Sequence, residues 1–412
     1  MATNQTKPTW YELIGSNNWK GLLDPLHLDL RKLILRSGDF IQATYDAFNN
    51  DQSSKYCGSS RYGKSSFFQK VMLENASDYK VHFFLYGTAR VSVPEAFLLH
   101  SLSRESWDRE SNWIGYIAVN SDEVASASGR REIYVVWRGT TRDYEWINVF
   151  GAAPVSAKAL LSAETIKEIS SSNNDDEDEN EEMPKVMAGW LTIYTSDNPD
   201  SPFSKTSART QVLKKVNELL KLYKDENPSV VISGHSLGAS LSILSAFDLV
   251  ENEVKNVPVT AIIFGSPQVG NKAFNERVKK FTNLKVLHIR NVIDLLTLYP
   301  GRLLGYVDTT GTELRIDTRK SPSLKESKNP GDWHNLQAML HVVAGWNGAD
   351  GEFEMKVKRS VALVNKSCEF LKDEYLVPGS WWVEKNKSMV RRDDGEWVLT
   401  SPDEEDLPVP ED

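Results

Sequence analysis

Ser229-Val230-Val231-Ile232-Ser233-Gly234-His235-Ser236-Leu237-Gly238-Ala239-Ser240 reads as three elements in succession. The run 229–233 is apolar and rich in β-branched residues, as a buried strand requires, and Leu237 to Val250 has helical character. Between them stands G-x-S-x-G, and strand, pentapeptide and helix in that order are the setting of a nucleophile elbow. The turn is so tight that the backbone at Ser236 is expected to be strained, with Gly234 and Gly238 leaving room where a side chain would collide. Ala239, Ser240 and Ser242 are small enough for the helix to lie close to its strand. The expected result is a hydroxyl held above the sheet at a helix N-terminus. An ordinary left-handed turn with a solvated serine is the alternative, and the fit of downstream partners weighs against it.

Working outward, Val212, Val216, Leu219, Leu220 and Tyr223 form one apolar stripe of a helix over 205–224. After the helix 237–251 come a strand over 259–264, a helix over 271–281 and a strand over 284–289. Upstream, 113–119 and 133–137 read as strands, with the polar linker 120–132 suiting a hairpin. Alternating strands and helices imply an α/β architecture with a mostly parallel, doubly wound sheet, whose site lies at the carboxyl ends of the strands. Residues 8–50 are helical in pattern and form a packing layer within an N-terminal cap spanning 1–79. The tail 346–412, with Trp346, Trp381, Trp382 and Trp397, is expected to close a sheet edge as a hairpin. The whole chain, 1–412, is read as a single domain.

The net charge of −9 is local in origin. Seven acids fall between Asp175 and Glu182 and six between Asp403 and Asp412, and without those thirteen the body carries +4. Nothing in this distribution suggests nucleic-acid binding. The segment 170–183 is a solvated, disordered insertion by composition, and it lacks the ligand spacing and glycine of a calcium loop. Two cysteines, Cys57 and Cys368, make no disulfide framework. No apolar leader, transit-type leader or transmembrane stretch is present, so a cytosolic location is expected.

A serine on such an elbow needs an acid and a base that follow it in the chain, acid first. Three histidines lie downstream. His288 falls inside a strand and reads as a buried structural residue, and His341 as core or support on the helix 336–343. His334, in the glycine-led loop entering that helix, is favoured as the base. Asp294 follows directly on a strand and is the first candidate for the orienting acid, ahead of Asp308 and of Asp332, which suits a helix N-cap. The oxyanion hole takes the N–H of Leu237 and a second donor from the turn Arg138-Gly139-Thr140, where the Thr140 hydroxyl adds to the backbone.

Trp137-Arg138-Gly139-Thr140, Gly234-His235-Ser236-Leu237-Gly238, Phe264-Gly265-Ser266-Pro267-Gln268-Val269-Gly270-Asn271 and Asn291-Val292-Ile293-Asp294 together resemble the class 3, fungal-type lipases of the α/β-hydrolase superfamily. Trp19-Lys20-Gly21-Leu22-Leu23-Asp24-Pro25-Leu26, the run Trp107 to Tyr116, His334-Asn335-Leu336-Gln337 and Val377-Pro378-Gly379-Ser380-Trp381-Trp382 narrow the resemblance to the plant class II phospholipases A1. It covers nearly the whole chain. It implies Ser236 as nucleophile, Asp294 as orienting acid, His334 as base, Thr140 and Leu237 lining the oxyanion hole, and a lid over 141–154. In the lid, Tyr144, Trp146, Ile147, Val149 and Phe150 would cover the site in water and embed in a lipid surface. The implied activity is release of the sn-1 fatty acid from glycerolipids, phosphatidylcholine first, without metal or cofactor. The implied partner is a glycerolipid surface met transiently. A lipase for neutral acylglycerols or galactolipids is the alternative substrate reading, and a non-catalytic signalling scaffold the alternative of another class. Met339, where relatives usually carry an aromatic, and the acidic insertion are the departures.

Overall fold

The computed structural model describes residues 7–50, 58–88, 111–140, 152–172, 183–199, 205–382 and 389–399. Among them, seven strands form one sheet in chain order: β1 (Tyr79–Thr88), β2 (Ser111–Asn120), β3 (Glu132–Trp137), β4 (Ser229–His235), β5 (Val259–Phe264), β6 (Leu284–Asn291) and β7 (Thr312–Ile316). The pairings β1–β2 and β2–β3 are antiparallel, and those from β3 to β7 are parallel. This is the α/β-hydrolase arrangement, with β2 reversed and the carboxyl ends of β3 to β7 on one edge.

The period of two along the strands sends alternate side chains into two separate cores. Ile133, Val135 and Trp137 of β3 join Val230 and Ile232 of β4 beneath the helices α2 (Ala208–Leu222), α3 (Leu237–Asn252) and α4 (Lys272–Lys280). Tyr134 and Val136 join Val231, Ile262 and Leu287 on the other face, beneath α1 (Leu28–Ala47) and α5 (Leu336–Gly345). The helix α3 is buried on nearly all sides, which is why its sequence lacks a polar stripe.

Several local expectations are corrected. The helical stretch over 8–50 is two helices, Trp10–Leu13 and α1, the longer one starting only after the loop that holds Pro25. β2 and β3 do form the expected antiparallel hairpin, but its linker contains a helix, Asp122–Ser128, capped by Ser121 and closed by Gly129 at φ +68°. The C-terminal hairpin, Met389–Arg391 with Trp397–Leu399, does not extend the main sheet. It forms a separate cluster in which Trp381, Met389 and Trp397 pack together with Ala362. Among the described residues no helix is long and apolar enough to cross a membrane.

Candidate active site

Ser236 stands between β4 and α3 with φ +59° and ψ −126°, a conformation a non-glycine residue adopts only under constraint. The constraint is steric and local. A methyl group on Gly234 would overlap the Gly238 carbonyl, and one on Gly238 would lie 2.5 Å from the Trp137 carbonyl oxygen. The Ser236 N–H donates to the Phe264 carbonyl at 3.1 Å, which fixes the turn against β5. Leu237 opens α3, so its N–H is among the unsatisfied donors of a helix start.

The turn at the end of β3 lies against this elbow. A methyl on Gly139 would approach the His235 carbonyl oxygen to 2.6 Å and overlap the Tyr45 hydroxyl. Arg138 holds the turn from within: Nε donates to the Trp113 carbonyl at 3.1 Å, Nη1 to the Gly139 carbonyl at 2.9 Å, and the guanidinium covers the Phe48 ring. Burial lowers this arginine to about 10. Thr140, the next residue, is partly exposed at the edge where Leu237 begins its helix.

His334 and Asp294 come together from different loops. The imidazole Nδ1 donates to Asp294 Oδ2 at 2.6 Å, both side chains being buried. The other carboxylate oxygen, Oδ1, accepts the Leu296 N–H at 3.0 Å, so Asp294 caps the short helix Leu295–Leu298 and cannot turn away. With the proton on Nδ1, the lone pair of Nε2 is the basic one. Asn291, at the end of β6, donates to the Trp333 carbonyl at 2.8 Å and ties the residue before His334 to the sheet. Asn335 then caps α5 through the Ala338 N–H at 3.0 Å.

The remaining candidates lie elsewhere. His341 Nε2 meets Ser321 Oγ at 2.8 Å, and burial pushes this imidazole down to about 4. His288 Nε2 accepts the Ser266 N–H at 3.0 Å inside the sheet, and burial lowers it to about 4 as well. Asp308 accepts from Gln268 Nε2 at 2.9 Å. Asp332 accepts from Ser327 Oγ at 2.5 Å, and the N-cap of its helix is Asn329, which corrects the cap expected at Asp332. The lid expected over 141–154 lies outside the described residues up to 151, and Pro154–Ser156 then pairs with Lys185–Met187. Most of the acidic insertion, 173–182, and Cys57 also lie outside them. Among the described residues no cluster of His, Cys, Asp and Glu could hold a metal ion.

Two contributors were missed by sequence reasoning. His235 donates from Nε2 to the His334 main-chain carbonyl at 2.8 Å. That carbonyl only accepts, so the proton sits on Nε2, and Nδ1 accepts from the Tyr45 hydroxyl at 2.8 Å. Burial, followed by the neighbouring His334 ring, holds His235 well below the usual imidazole range and therefore neutral. Burial likewise raises the Tyr45 phenol, which stays protonated. The second is Gly265, at φ +52°, where a methyl would stand 2.9 Å from His334 Cε1 and 3.2 Å from Asp294 Oδ2. The signals were present, a histidine inside the pentapeptide and a glycine at a strand end, but their partners are remote in the chain.

A strained serine at a helix start, a buried imidazole–carboxylate pair and a clamped turn beside them define a serine hydrolase on an α/β-hydrolase scaffold. Sequence comparison with known proteins agrees. Residues 134–304 match the class 3 lipase family. The chain is 64% identical to phospholipase A1-IIdelta of Arabidopsis thaliana over the full length of both. It is 50% identical to phospholipase A1-II 5 of Oryza sativa subsp. japonica, over 97% of this chain and 84% of that one. Among solved structures, the triacylglyceride lipase of Rhizomucor miehei aligns over 71% of this chain and 82% of its own, with 18% identity and a TM-score of 0.43. The chain belongs to the class II phospholipase A1 family of the class 3 lipases.

Proposed function

We propose that this protein hydrolyses the sn-1 acyl ester of glycerolipids at a lipid surface, with phosphatidylcholine as the first substrate to test. The observation that carries the reading is the buried 2.6 Å contact between His334 and Asp294, set beside the strained Ser236 turn. His334 Nε2 takes the Ser236 hydroxyl proton as Oγ bonds to the ester carbonyl carbon. The resulting oxyanion accepts the Leu237 N–H and the donors of the Gly139–Thr140 turn, each such donor being worth about 10²-fold or more in rate. Imidazolium charge is stabilised by Asp294. The bond to the glycerol oxygen breaks, that oxygen leaves with the His334 proton as lysolipid, and the acyl group stays on Ser236. Water, deprotonated by His334, then attacks the acyl-enzyme, and the fatty acid departs as the Ser236 hydroxyl is restored.

Labelling by a fluorophosphonate probe tests the chemistry, and phosphatidylcholine with different acyl chains at sn-1 and sn-2 tests the position. Wild-type protein should be labelled and release the sn-1 chain, and Ser236→Ala should do neither. A folded but unlabelled wild type would favour the scaffold reading. The cytosolic location is part of the same proposal, and a fluorescent fusion confined to an organelle would contradict it.

A further inference from the structure

The segment that follows Asp294 carries apolar side chains in the wrong place for a core. Leu295 is 60% exposed and Leu303 fully so, and Val292, Leu298 and Leu304 are exposed too. The pattern has a local cause. In the short helix Leu295–Leu298, side chains three apart share a face, so Leu295 and Leu298 point outward together while Leu296 and Thr297 are buried. Gly301 at φ +105° and Gly305 at φ +82° then bracket a second short helix, Arg302–Leu304, that holds Leu303 clear of the body. Single exposed leucines need no explanation, but a cluster within thirteen residues does.

Its position is specific. The segment leaves the carboxyl end of β6, on the edge of the sheet that also carries the Ser236 elbow and the Gly139 turn. Apolar surface continues from Leu295 into an open groove of about 890 Å³ lined by Ile293, Leu324, Trp333 and Phe370. The surroundings bear both signs of charge. Arg302 faces Asp308 at 3.5 Å, Arg319 pairs with Asp317 at 2.7 Å, Lys325 pairs with Asp373 at 2.7 Å and faces Glu369 at 3.5 Å, and Glu326 and Lys328 line the groove as well. A mixed rim of this kind matches headgroups that hold a phosphate and an ammonium together, and it favours neither sign in excess.

We propose that the 292–304 segment is a docking surface that inserts its leucines into a zwitterionic phospholipid layer and so places the catalytic edge against the lipid. The inference rests on the hydrolase reading above, since it assigns that site its approach to an aggregated substrate. Docking is driven by removal of the leucine side chains from water, so it should persist at high salt.

The test uses full-length Ser236→Ala protein, which cannot consume its target, sedimented with phosphatidylcholine vesicles. A second protein adds Leu303→Asp and Leu304→Asp, both at exposed positions, and its fold is checked by circular dichroism and thermal unfolding. Vesicle affinity should fall at least tenfold. With Ser236 intact, the same two substitutions should leave hydrolysis of a soluble short-chain ester within twofold while lowering the rate on vesicles tenfold or more. Unchanged vesicle binding in the doubly substituted protein overturns the proposal. So does light scattering that shows a dimer lost on substitution, which assigns the leucines to a second copy. Wild-type protein that hydrolyses micellar phospholipid without binding vesicles refutes the docking surface alone. Binding without any ester hydrolysis refutes the hydrolase reading and leaves the docking surface standing.

Discussion

Gly265→Ala is the most informative single substitution outside the reacting groups. Gly265 follows β5 at φ +52°, so an added Cβ meets a backbone penalty of about 1 kcal/mol. The methyl would also stand 2.9 Å from His334 Cε1, 3.1 Å from Nδ1 and 3.2 Å from Asp294 Oδ2. Ordinary contact between such atoms begins near ~3.5 Å, so something must yield by about half an ångström. The backbone at 265 has little freedom to do so. The Gly265 N–H donates to the Ile289 carbonyl at 3.0 Å, and the next N–H, of Ser266, donates to His288 Nε2 at 3.0 Å. The movable party is the imidazole with its carboxylate. Misplacing a catalytic group by ~1 Å costs about 10²-fold, so half that displacement should lower kcat by roughly tenfold or more. Crowding should add about 1–3 kcal/mol to the loss of stability. The assay is kcat on a soluble p-nitrophenyl ester, with urea unfolding in parallel. Gly129→Ala is the control, because Gly129 has φ +68° and no neighbour within 4 Å of the added methyl. It should lose about 1 kcal/mol and no activity. If Gly265→Ala, still folded, keeps kcat within twofold of the Gly129→Ala control, the crowding argument is wrong.

Other outcomes follow from the same geometry. His334→Ala should lower kcat by at least ~10³, whereas His341→Ala should lose stability and keep the chemistry, since it faces Ser321 and not the elbow. The reverse result would move the base. Tyr45→Phe removes the donor to His235 Nδ1 and leaves a buried acceptor unpaired, at a cost of about 1–3 kcal/mol. As a positioning change it should lower kcat on a soluble ester with KM unaltered, and a rise in KM alone would count against it. Stability should fall as pH drops from 6.5 to about 4, because His288 and His341 stay neutral in the folded protein to about 4 while the unfolded chain takes up their protons from near ~6.5. Each contributes about 3 kcal/mol that is fully present above the higher value and lost toward the lower. Denaturant titrations at several pH values should show His341→Gln with a shallower fall than wild type, and parallel curves would exclude the effect.

How much of this could be read from the chain depends on how local each cause is. The elbow was legible because strand, glycines and small-residue helix lie within one continuous run from Ser229 to Ser242. Asp294 and His334 were legible as ionisable residues at an element end, which is where a sheet delivers side chains to a shared edge. β1 escaped because its pairing with β2 slips between Val81 and Phe83 and again between Leu85 and Tyr86, so its alternation is broken. β7 escaped because it is short and at the edge, with only Leu314 and Ile316 facing inward. The hairpin over 120–132 was legible, but the helix Asp122–Ser128 within it was not, although Ser121, Asp122, Glu123 and Gly129 carried its signals. The Tyr45–His235 contact spans 190 residues, and no periodicity encodes it.

The N-terminal layer therefore supports the candidate site as well as covering the sheet. α1 bears Tyr45, which supports His235 and lies against Gly139, so one hydroxyl touches both the ring that anchors the His334 main chain and the turn proposed for the oxyanion hole. The same helix holds the element that leads away from His334. Arg31 donates to the carbonyls of Val343 and Trp346, the latter at 2.7 Å, and Gly38 lets Leu340 of α5 pack so closely that a methyl there would overlap it. The family match at 134–304 contains Thr140, Ser236 and Asp294. It contains neither His334 nor Tyr45, Asn335 or α1, which set where the imidazole stands. On the proposed mechanism Ser236 needs His334 to take its proton, so a serine and a carboxylate alone would not suffice. The proposed triad would thus depend on α1 and α5, two segments distant in the chain that pack on each other over one face of the sheet.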